Sequence, residues 1–422
     1  MSFKRISVVG LGYIGLPTAA MFASSKIEVI GVDINPQTVH MINQGEIHIA
    51  EPKLDILVKA SVEEGYLRAS LQAEPAEAFL IAVPTPFKGD YEPDLSFIHS
   101  AARMIAPVLE KGNLVILEST SPVGTTERLS EWLAELRPDL SFPQKAEAEA
   151  DINVAHCPER VLPGNAVREL VENDRVIGGI TPRCSERCVQ LYSSFVKGES
   201  IVTNARTAEM AKLTENASRD VGIAFANELS LICDRLNIDV WELIALANRH
   251  PRVNILSPGP GVGGHCIAVD PWFIVNSAPQ ESRLIYTARV INDEKPGWVV
   301  SKVRDEVANF VLSNPERKAA EVTIACLGLT FKADIDDLRE SPALGIANRL
   351  ADTLPCNLWV VEPYIKLLPP SLEEKAKLVT AEKALDDADI VIILVDHTQF
   401  KKIESVKFAG KRVIDTRGIL SK

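Results

Sequence analysis

The feature that most constrains the fold is a glycine pattern near the start of the chain. Gly10, Gly12 and Gly15 form the pattern G-x-G-x-x-G. They follow the apolar run 6–9 and precede a predicted helix over residues 17–25. In this pattern the first glycine permits a tight turn, the second lets backbone N–H groups approach a pyrophosphate, and the third lets helix and strand pack closely. The pattern predicts a parallel sheet whose first turn binds a dinucleotide.

An acidic residue stands where such a turn requires one. The second predicted strand, residues 28–32, is followed directly by Asp33. A carboxylate there accepts hydrogen bonds from the adenosine ribose and repels a 2′-phosphate, which favours NAD over NADP. The alternatives are a simple glycine turn with a surface aspartate, or FAD as the cofactor. We expect NAD.

The first third of the chain alternates between strand and helix patterns, as in a parallel sheet covered on both faces. Further strands are predicted at the short apolar runs 79–83, 114–117 and 175–179. The stretches 205–235 and 281–311 differ, because helix-forming residues dominate and apolar residues recur every three to four positions. We expect two long helices there, the second kinked or broken at Pro296.

The last hundred residues repeat the opening pattern in a weaker form. A predicted strand over 322–327 is followed by Gly328 and by a helix from Ser341, and Glu362 follows the next strand as Asp33 does near the start. We therefore expect an α/β fold with two Rossmann-like parallel-sheet domains joined by a central helical region with long helices. The expected domains are residues 1–200, 201–312 and 313–422.

The charge balance narrows the classes of partner. Lys and Arg total 45 and Asp and Glu total 57, which gives a formal net charge of −12. A net-acidic surface argues against nucleic acid and anionic membranes as partners, although a local group of cations can still bind a phosphorylated ligand. The longest aliphatic run, residues 390–395, has six residues, whereas a membrane-spanning helix needs about 20. We expect neither nucleic-acid binding nor membrane insertion.

The cysteines and the N-terminal segment favour a cytoplasmic protein. Glycines interrupt the apolar stretch after Lys4 and Arg5, and no small-residue cleavage site lies within it, so it is not a typical signal peptide. The seven cysteines are scattered and odd in number, unlike a disulfide framework. Cys184 and Cys188 share a predicted helix, but no His or further Cys stands nearby, so we expect plain thiols and no metal site.

Two segments carry residues suited to chemistry. Lys212, Asn216, Arg219 and Asp220 lie mostly on one face of the first long helix, where the alternative is a solvated polar face. The loop PGPGVGGHCIAVDP, residues 258–271, has four glycines and three prolines and contains Cys266.

A cysteine is often a small buried apolar residue. Between glycines, with Asp270 four residues on and a cationic helix available, Cys266 is better interpreted as a nucleophile. The thiolate is the reactive form, and a neighbouring Lys212 would favour it.

A nucleotide cofactor together with a reactive cysteine indicates a particular oxidation. A dehydrogenase that stops at a carbonyl needs a base but no covalent catalyst. An aldehyde held as a thiohemiacetal releases hydride readily and leaves a thioester, which water hydrolyses. NAD and Cys266 therefore indicate oxidation to a carboxylic acid. These residues leave open whether the substrate arrives as an alcohol or as an aldehyde.

Seven segments of the chain resemble, in order, motifs of the UDP-glucose/GDP-mannose dehydrogenase family. They are GLGYIGLP (10–17), AVPTPF (82–87), ESTSPVGTT (118–126), CPERVLPG (157–164), AKLTEN (211–216), PGPGVGGHCIAVDP (258–271) and GLTFKADIDDLRESP (328–342). The resemblance covers essentially the whole chain. It assigns NAD binding to the first domain and UDP-sugar binding to the third, with a dimer interface in the helical domain between them.

The resemblance implies a four-electron oxidation at C6 of a nucleotide-linked hexosamine, with two NAD⁺ and one water consumed, for a surface polysaccharide of the enterobacterial common antigen type. His265 and the segment 267–269 replace residues typical of the UDP-glucose enzymes. This implies UDP-N-acetyl-D-mannosamine as the substrate, with UDP-N-acetylglucosamine or UDP-glucose as alternatives. A non-catalytic NAD-responsive binding protein is a further alternative, and the intact set Lys212, Asn216, Cys266 and Asp270 speaks against it.

The resemblance also implies roles for individual residues. Cys266 corresponds to the nucleophile, and Lys212 to a proton donor and acceptor that steadies oxyanions. Residues that place or activate water, or complete the catalytic set, are Asp270, Asn216, Thr120 and Glu159. Cofactor contacts, besides the three glycines, are Tyr13, Ile14, Asp33, Thr85, Thr126 and Arg339.

UDP-sugar contacts implied by the resemblance are Arg160, Val161, Lys212, Asn216, Arg219, His250, Arg252, Gly263, Phe331, Lys332 and Arg417. Arg417 departs from the pattern, since this branch often has a lysine there, and an arginine keeps the charge but changes the geometry. The loop from His250 to Arg252 is expected to reach across a homodimer interface formed by the central helices.

Overall fold

The protein is described by a computed structural model covering residues 3–49, 51–89, 91–161, 164–264 and 266–420. His265, on which part of the substrate expectation depends, lies outside the described residues. The chain forms two compact units, Met1–Glu215 and Asn216–Lys422. Each contains a largely parallel sheet, and long helices lie in the central region, so the expected fold class is confirmed.

The sheet of the first unit has eight strands in the order β10-β9-β8-β7-β4-β1-β2-β3. Neighbouring strands run parallel, except β8 and β9, which run antiparallel. A separate two-stranded ribbon pairs β5 with β6. The strands are β1 (Arg5–Val9), β2 (Glu28–Val32), β3 (Leu67–Ser70), β4 (Ala78–Ile81), β5 (Phe87–Lys88), β6 (Glu92–Pro93), β7 (Leu114–Leu117), β8 (Asn153–His156), β9 (Arg175–Gly179) and β10 (Ser200–Asn204).

Strands β4 and β7 are buried along their whole length, because the sheet has an apolar cluster on each face. That double burial explains why these strands are continuous apolar runs in the sequence. The helices are α1 (Gly15–Ser24), α2 (Pro36–Asn43), α3 (Leu54–Glu63), α4 (Ser96–Ile105), α5 (Thr125–Leu136), α6 (Pro143–Ala146), α7 (Ala166–Glu172) and α8 (Pro182–Tyr192).

Helix α9 (Ala205–Leu236) is the first of the two long helices expected from the sequence. The second, α12 (Arg283–Ser313), continues through Pro296, so the break that we considered there is wrong. Proline removes one backbone hydrogen bond. Packing compensates, since Val299, Val300 and Val303 are buried on the same helix and α12 packs against α11 (Asp270–Ser277) and α13 (Pro342–Thr353).

The second sheet has five parallel strands in the order β13-β12-β11-β14-β15. This is the topology of strands β3-β2-β1-β4-β7, so the internal repeat expected from the sequence is confirmed. In both sheets a crevice for ligands is expected where the strand order reverses, beside the first strand. The strands are β11 (Thr323–Leu327), β12 (Asn357–Val361), β13 (Ala376–Leu378), β14 (Ile390–Ile393) and β15 (Arg412–Asp415), and the remaining helices are α10 (Val240–Ala247), α14 (Ala381–Asp387) and α15 (Thr398–Lys401).

Replacement of Ile116 by alanine tests the packing of the first sheet. Ile116 is fully buried in β7, so Ile116→Ala should lower the free energy of unfolding by about 2–5 kcal/mol. Ile56 on α3 is 69% exposed, and Ile56→Ala should change it by less than about 0.5 kcal/mol. Urea unfolding followed by circular dichroism measures both variants, and equal losses would contradict the assigned core.

Candidate active site

The glycine turn joins β1 to α1 and has one closed side and one open side. Gly10 has φ +92°, and a Cβ there would lie 2.6 Å from the carbonyl oxygen of Ala82. A Cβ on Gly15 would lie 1.8 Å from the carbonyl oxygen of Gly10. A Cβ on Gly12 would meet no described atom within 4 Å. The turn therefore packs tightly against the sheet and leaves Gly12 as the point of approach for a ligand.

Asp33, at the end of β2, is held against this turn. Its Oδ2 accepts a hydrogen bond from Leu11 N at 3.0 Å, and its Oδ1 accepts one from Asn35 N at 2.9 Å. The carboxylate remains half-buried at the crevice side of the sheet. An open backbone turn at the start of a helix, with a fixed carboxylate beside it, fits the pyrophosphate and ribose of a dinucleotide.

Two of the threonines expected to contact the cofactor are held by the protein. Thr85 Oγ1 donates to the carbonyl oxygen of Thr120 at 2.6 Å. Thr126 Oγ1 donates to Glu209 Oε1 at 2.6 Å, and this carboxylate also accepts from Gly124 N and Thr126 N. Glu209 thus binds the N-terminus of α5. The sequence did not indicate it, because its partners lie more than 80 positions away along the chain.

The motif after β8 places Glu159 inside and Arg160 at the surface of the first unit. Glu159 is 5% exposed, and its Oε2 lies 3.0 Å from Arg175 Nη1. Arg160 Nη2 lies 2.6 Å from Glu215 Oε1 on α9. Val161 packs against the apolar cluster beneath the sheet.

A second buried carboxylate, Glu118, belongs to the same polar cluster and was missed from the sequence. Its Oε1 accepts from Tyr192 OH at 3.0 Å and from Thr18 Oγ1, on α1, at 3.4 Å. Burial, reinforced by the charge of Glu159, raises the pKa of Glu118 to about 8. Glu118 is therefore a neutral acid at pH 7. The sequence signal that could have identified Glu118 is its position two residues before Thr120.

In the second unit, Asn216 and Asp270 meet directly. Asn216 Nδ2 donates to Asp270 Oδ2 at 2.5 Å, and Asp270 is 3% exposed. The carbonyl oxygen of Cys266 accepts from Asp270 N at 2.8 Å, which forms a helical turn just before α11. Cys266 itself is exposed. The thiol is thus accessible on a turn fixed by the same aspartate that contacts α9.

The glycine-rich loop around Cys266 packs closely against the segment after β11. A Cβ on Gly263 would lie 2.3 Å from the carbonyl oxygen of Glu340, and one on Gly264 would lie 2.7 Å from the ring of Phe331. Only glycine allows this approach at both positions. The loop therefore lies against the residues on either side of Lys332.

A buried polar network in the second unit holds the first part of this loop. Gly259 N donates to Asn227 Oδ1 at 2.9 Å, and Asn227 Nδ2 donates to Asn292 Oδ1 at 2.8 Å. Asn292 Nδ2 in turn donates to Asp220 Oδ1, which also lies 2.7 Å from Arg289 Nη1. Of the side chains in this network, the sequence had drawn attention only to Asp220. The partners were missed because single polar residues on a helix carry no pairing information.

The remaining expected site residues differ in whether they form hydrogen bonds or ion pairs with other protein groups, and in their exposure. Among the described residues, Lys212 forms no hydrogen bond or ion pair and is half-buried. Arg339 binds Asp337 through two nitrogens, at 2.9 and 2.7 Å, and Arg417 binds Asp396 at 2.6 Å. Exposed residues are Tyr13, Arg219, His250, Arg252 and Lys332, while Ile14 is half-buried.

In the described ranges no three or more His, Cys, Asp or Glu side chains are grouped so as to hold a metal ion. No helix within the same ranges combines the length and the apolar character that a bilayer crossing requires.

A dinucleotide turn on a parallel sheet, followed by a second sheet of the same topology, defines the class of protein as an NAD-dependent dehydrogenase. Comparison with known families identifies which family of dehydrogenases this is. Residues 4–196 match the NAD-binding domain of the UDP-glucose/GDP-mannose dehydrogenases, residues 206–294 their central domain, and residues 325–422 their UDP-binding domain. The chain belongs to the UDP-glucose/GDP-mannose dehydrogenase family, as the motifs indicated, and its cofactor is NAD.

Individual relatives are similar along the whole chain. The UDP-N-acetyl-D-mannosamine dehydrogenase of Yersinia pestis is 62% identical over 419 residues, which is 99% of this chain and 100% of the relative. The NDP-N-acetyl-D-galactosaminuronic acid dehydrogenase of Ralstonia nicotianae is 62% identical over 100% of this chain and 97% of the relative. A structure of UDP-D-ManNAc dehydrogenase from Pyrococcus horikoshii aligns with a TM-score of 0.86 at 40% identity, covering 98% of this chain and 96% of that one.

Alanine at two glycines of the turn should separate folding from cofactor binding. Gly12→Ala should leave thermal stability unchanged, because its Cβ meets nothing, yet weaken NAD binding by about tenfold or more, since the Cβ occupies the ligand's approach. Gly15→Ala should instead destabilise the fold by about 1–3 kcal/mol or more, because its Cβ overlaps Gly10. Calorimetric NAD titration and thermal melts measure both. Unchanged NAD affinity in Gly12→Ala would place the pyrophosphate elsewhere.

Glu118→Gln should change how stability depends on pH. Glu118 has its pKa raised from 4.5 to about 8, so between these values the folded state keeps a proton that the unfolded state has lost. The free energy of unfolding therefore falls as pH rises through this window, by at most about 1.4 kcal/mol per pH unit for one proton. Glutamine does not titrate, so the variant should gain stability relative to the parent protein as pH rises.

Urea unfolding at several pH values between about 5 and 8 measures this gain. The matched control is Glu131→Gln, since Glu131 is an exposed glutamate on α5. Its stability should follow that of the parent protein at every pH. Parallel curves for Glu118→Gln and the parent protein would show that Glu118 is ionised in the folded state.

Proposed function

We propose that the protein oxidises UDP-N-acetyl-D-mannosamine at C6 to UDP-N-acetyl-D-mannosaminuronate. The observation that carries the proposal is Cys266, an exposed thiol on a rigid glycine loop in a chain that has an NAD-binding turn. The name of the Yersinia pestis relative, similar over the full length, supports this choice of substrate. The product would serve assembly of a surface polysaccharide of the enterobacterial common antigen type.

The overall reaction balances as a four-electron oxidation. One primary alcohol, two NAD⁺ and one water give one carboxylate, two NADH and three protons. NAD, when bound, accepts the hydride in each of the two oxidations. The residues of the chain supply proton transfer, the nucleophile and the positioning of water.

Lys212 and Cys266 carry the first part of the proposed mechanism. Lys212, free of protein partners among the described residues, accepts the hydroxyl proton as hydride leaves C6, and an aldehyde forms. Cys266 Sγ then attacks the aldehyde carbon, and the oxygen takes a proton to give a thiohemiacetal. Loss of the second hydride converts this adduct to a thioester on Cys266.

Hydrolysis of the thioester is assigned to Asp270 and its neighbours. Asp270, held by Asn216, places a water that attacks the carbonyl carbon, and cleavage of the C–S bond restores the Cys266 thiolate and releases the carboxylate. Thr120 and Glu159 are proposed to assist in placing this water. Asn216 acts by fixing the orientation of Asp270.

The binding roles follow the same proposal. For NAD we assign Gly10, Gly12, Tyr13, Ile14, Gly15, Asp33, Thr85, Thr126 and Arg339. For the UDP-sugar we assign Arg160, Val161, Lys212, Asn216, Arg219, His250, Arg252, Gly263, Phe331, Lys332 and Arg417. The exposed cations among them, Arg219, Arg252 and Lys332, suit a diphosphate.

We assign NAD binding to residues 1–200, the catalytic helical region to 201–312 and UDP-sugar binding to 313–422. We also propose a homodimer through the central helices. Large exposed apolar side chains support it: Phe225, Ile232, Leu236, Leu246, Leu284 and Tyr286, between 46% and 68% exposed. A cytoplasmic location is proposed because none of the seven cysteines, all of which lie in the described ranges, forms a disulfide.

A second candidate substrate is UDP-N-acetyl-D-galactosamine. The Ralstonia relative, named for an N-acetyl-D-galactosaminuronic acid, is as similar to this chain as the Yersinia relative. Both candidates share the acetamido group and the C6 alcohol and differ in ring stereochemistry. Side-by-side kcat/KM values for these two sugars, UDP-N-acetylglucosamine and UDP-glucose decide among them.

Cys266→Ser should abolish acid formation while leaving NAD binding intact, because serine cannot form the thioester. Acid production should fall by about three orders of magnitude or more. The measurement is NADH absorbance per mole of UDP-N-acetyl-D-mannosamine, where the parent protein should give two. Cys356→Ser, at a different thiol that is only partly buried, is the matched control and should keep full activity.

Two results would contradict the proposal in different ways. Two NADH per sugar from Cys266→Ser would exclude the covalent mechanism while keeping the reaction. Absence of NADH production from the parent protein with all four sugars would favour the non-catalytic NAD-responsive binding protein.

A further inference from the structure

The second sheet has a carboxylate in the position that Asp33 occupies in the first. Glu362 follows β12 directly, as Asp33 follows β2. Glu362 Oε2 accepts from Leu329 N, the first residue after Gly328, at 2.7 Å, just as Asp33 Oδ2 accepts from Leu11 N. The two corners differ in exposure, since Glu362 is 4% exposed and Asp33 is half-buried.

Protein donors surround the carboxylate of Glu362. Besides Leu329 N, Oε2 lies within hydrogen-bond distance of Thr330 N at 3.3 Å and of His397 Nε2 at 3.1 Å, while Oε1 accepts from Tyr364 N at 3.1 Å. Burial acts to raise the pKa of Glu362, but these hydrogen bonds outweigh it, so the pKa lies below its ordinary value. The Glu362 carboxylate is ionised and bonded to protein groups, whereas the Asp33 carboxylate faces a crevice.

His397 fills the corner in a defined tautomer. Asp334 N lies 2.9 Å from His397 Nδ1, and a backbone N–H can only donate, so Nδ1 carries the accepting lone pair. Nε2 then bears the proton and donates to Glu362. The ring is completely buried, between the rings of Tyr364 and Phe400 at centroid distances of 5.1 and 5.2 Å.

The two hydrogen bonds of His397 hold both ends of one turn. Glu362 binds the start of the turn at Leu329 and Thr330, and Asp334, with φ +62°, binds its end. Asp334 also accepts from Thr398 N at 2.9 Å and from Tyr364 OH at 3.0 Å. Phe331 and Lys332 lie between these anchors.

We propose that His397 is a positioning residue for the UDP-sugar site. It takes the place at the second carboxylate corner that a ribose takes at the first, and it holds the turn 329–334 so that Phe331 and Lys332 meet the ligand. This inference rests on the proposed function through those two residues. It also means that the second sheet binds its nucleotide without the carboxylate–ribose contact of a dinucleotide site.

Variants at position 397 test the inference in the full-length protein. His397→Ala should weaken UDP binding and raise the KM for UDP-N-acetyl-D-mannosamine by about tenfold or more, because the buried Glu362 carboxylate and the backbone N–H of Asp334 each lose a hydrogen bond. The affinity for NAD should change less than about twofold, since its assigned turn lies in the first sheet. Gln399→Ala, at an exposed residue of α15, is the matched control and should match the parent protein.

Two conservative variants separate the two hydrogen bonds. His397→Gln keeps a donor for Glu362, and His397→Asn keeps an acceptor for Asp334 N. Each should recover part of the UDP affinity that His397→Ala loses, as measured by calorimetric titration with UDP. UDP affinity within about twofold of the parent protein in all three folded variants would overturn the proposal.

The tautomer of His397 can be measured in the parent protein itself. With ¹⁵N-labelled histidine, the His397 ring should show a protonated Nε2 and an unprotonated Nδ1, assigned by its loss in His397→Gln. The opposite tautomer would overturn the proposal. If the parent protein turns over no sugar nucleotide, the proposed function fails; if it does and His397→Ala keeps its KM, only the present inference fails.

Discussion

The structure depends on one recurring interaction, a carboxylate at the end of the second strand that binds the backbone of the turn after the first strand. Asp33 does this through Leu11 N in the first sheet, and Glu362 through Leu329 N in the second. The contact gives the buried backbone N–H of Leu11 or Leu329 a hydrogen-bond partner and so fixes the glycine turn. The two carboxylates differ in which further hydrogen-bond donors reach them. Asp33 is only half-buried, whereas Glu362 is 4% exposed and bonded to His397.

Buried polar networks hold the segments to which we assign catalytic residues. In the first unit Glu159 pairs with Arg175 and Glu118 accepts a hydrogen bond from Tyr192, and in the second unit Asp220 is bound by Arg289 and Asn292. Burying such groups costs free energy, and their hydrogen bonds return only part of it. Their value lies in geometry, because each network ends on a loop that carries proposed site residues, near Thr120 in one case and at Gly259 in the other.

Much of the fold could be predicted, because the spacing of apolar residues and the positions of glycine and proline indicate local structure. The apolar runs, the glycine turn and the long helix over 205–235 all matched observed elements. The break at Pro296 was wrong, since buried valines and two neighbouring helices hold α12 across a missing hydrogen bond. No sequence pattern indicated the antiparallel pairing of β8 with β9, because strand direction depends on how the intervening chain returns.

The sequence by itself determined the class of chemistry. Glycine spacing, Asp33 and the Cys266 loop are local patterns, and local patterns can be recognised without knowledge of the fold. Only the tertiary structure decided which polar groups meet: Asn216 with Asp270, Glu209 with the start of α5, His397 with Glu362. These pairs join residues tens of positions apart, where propensity and periodicity contain no information about contact. The hydrogen bonds of each pair then fix side-chain orientation and, for His397, the tautomer, which no single residue type specifies.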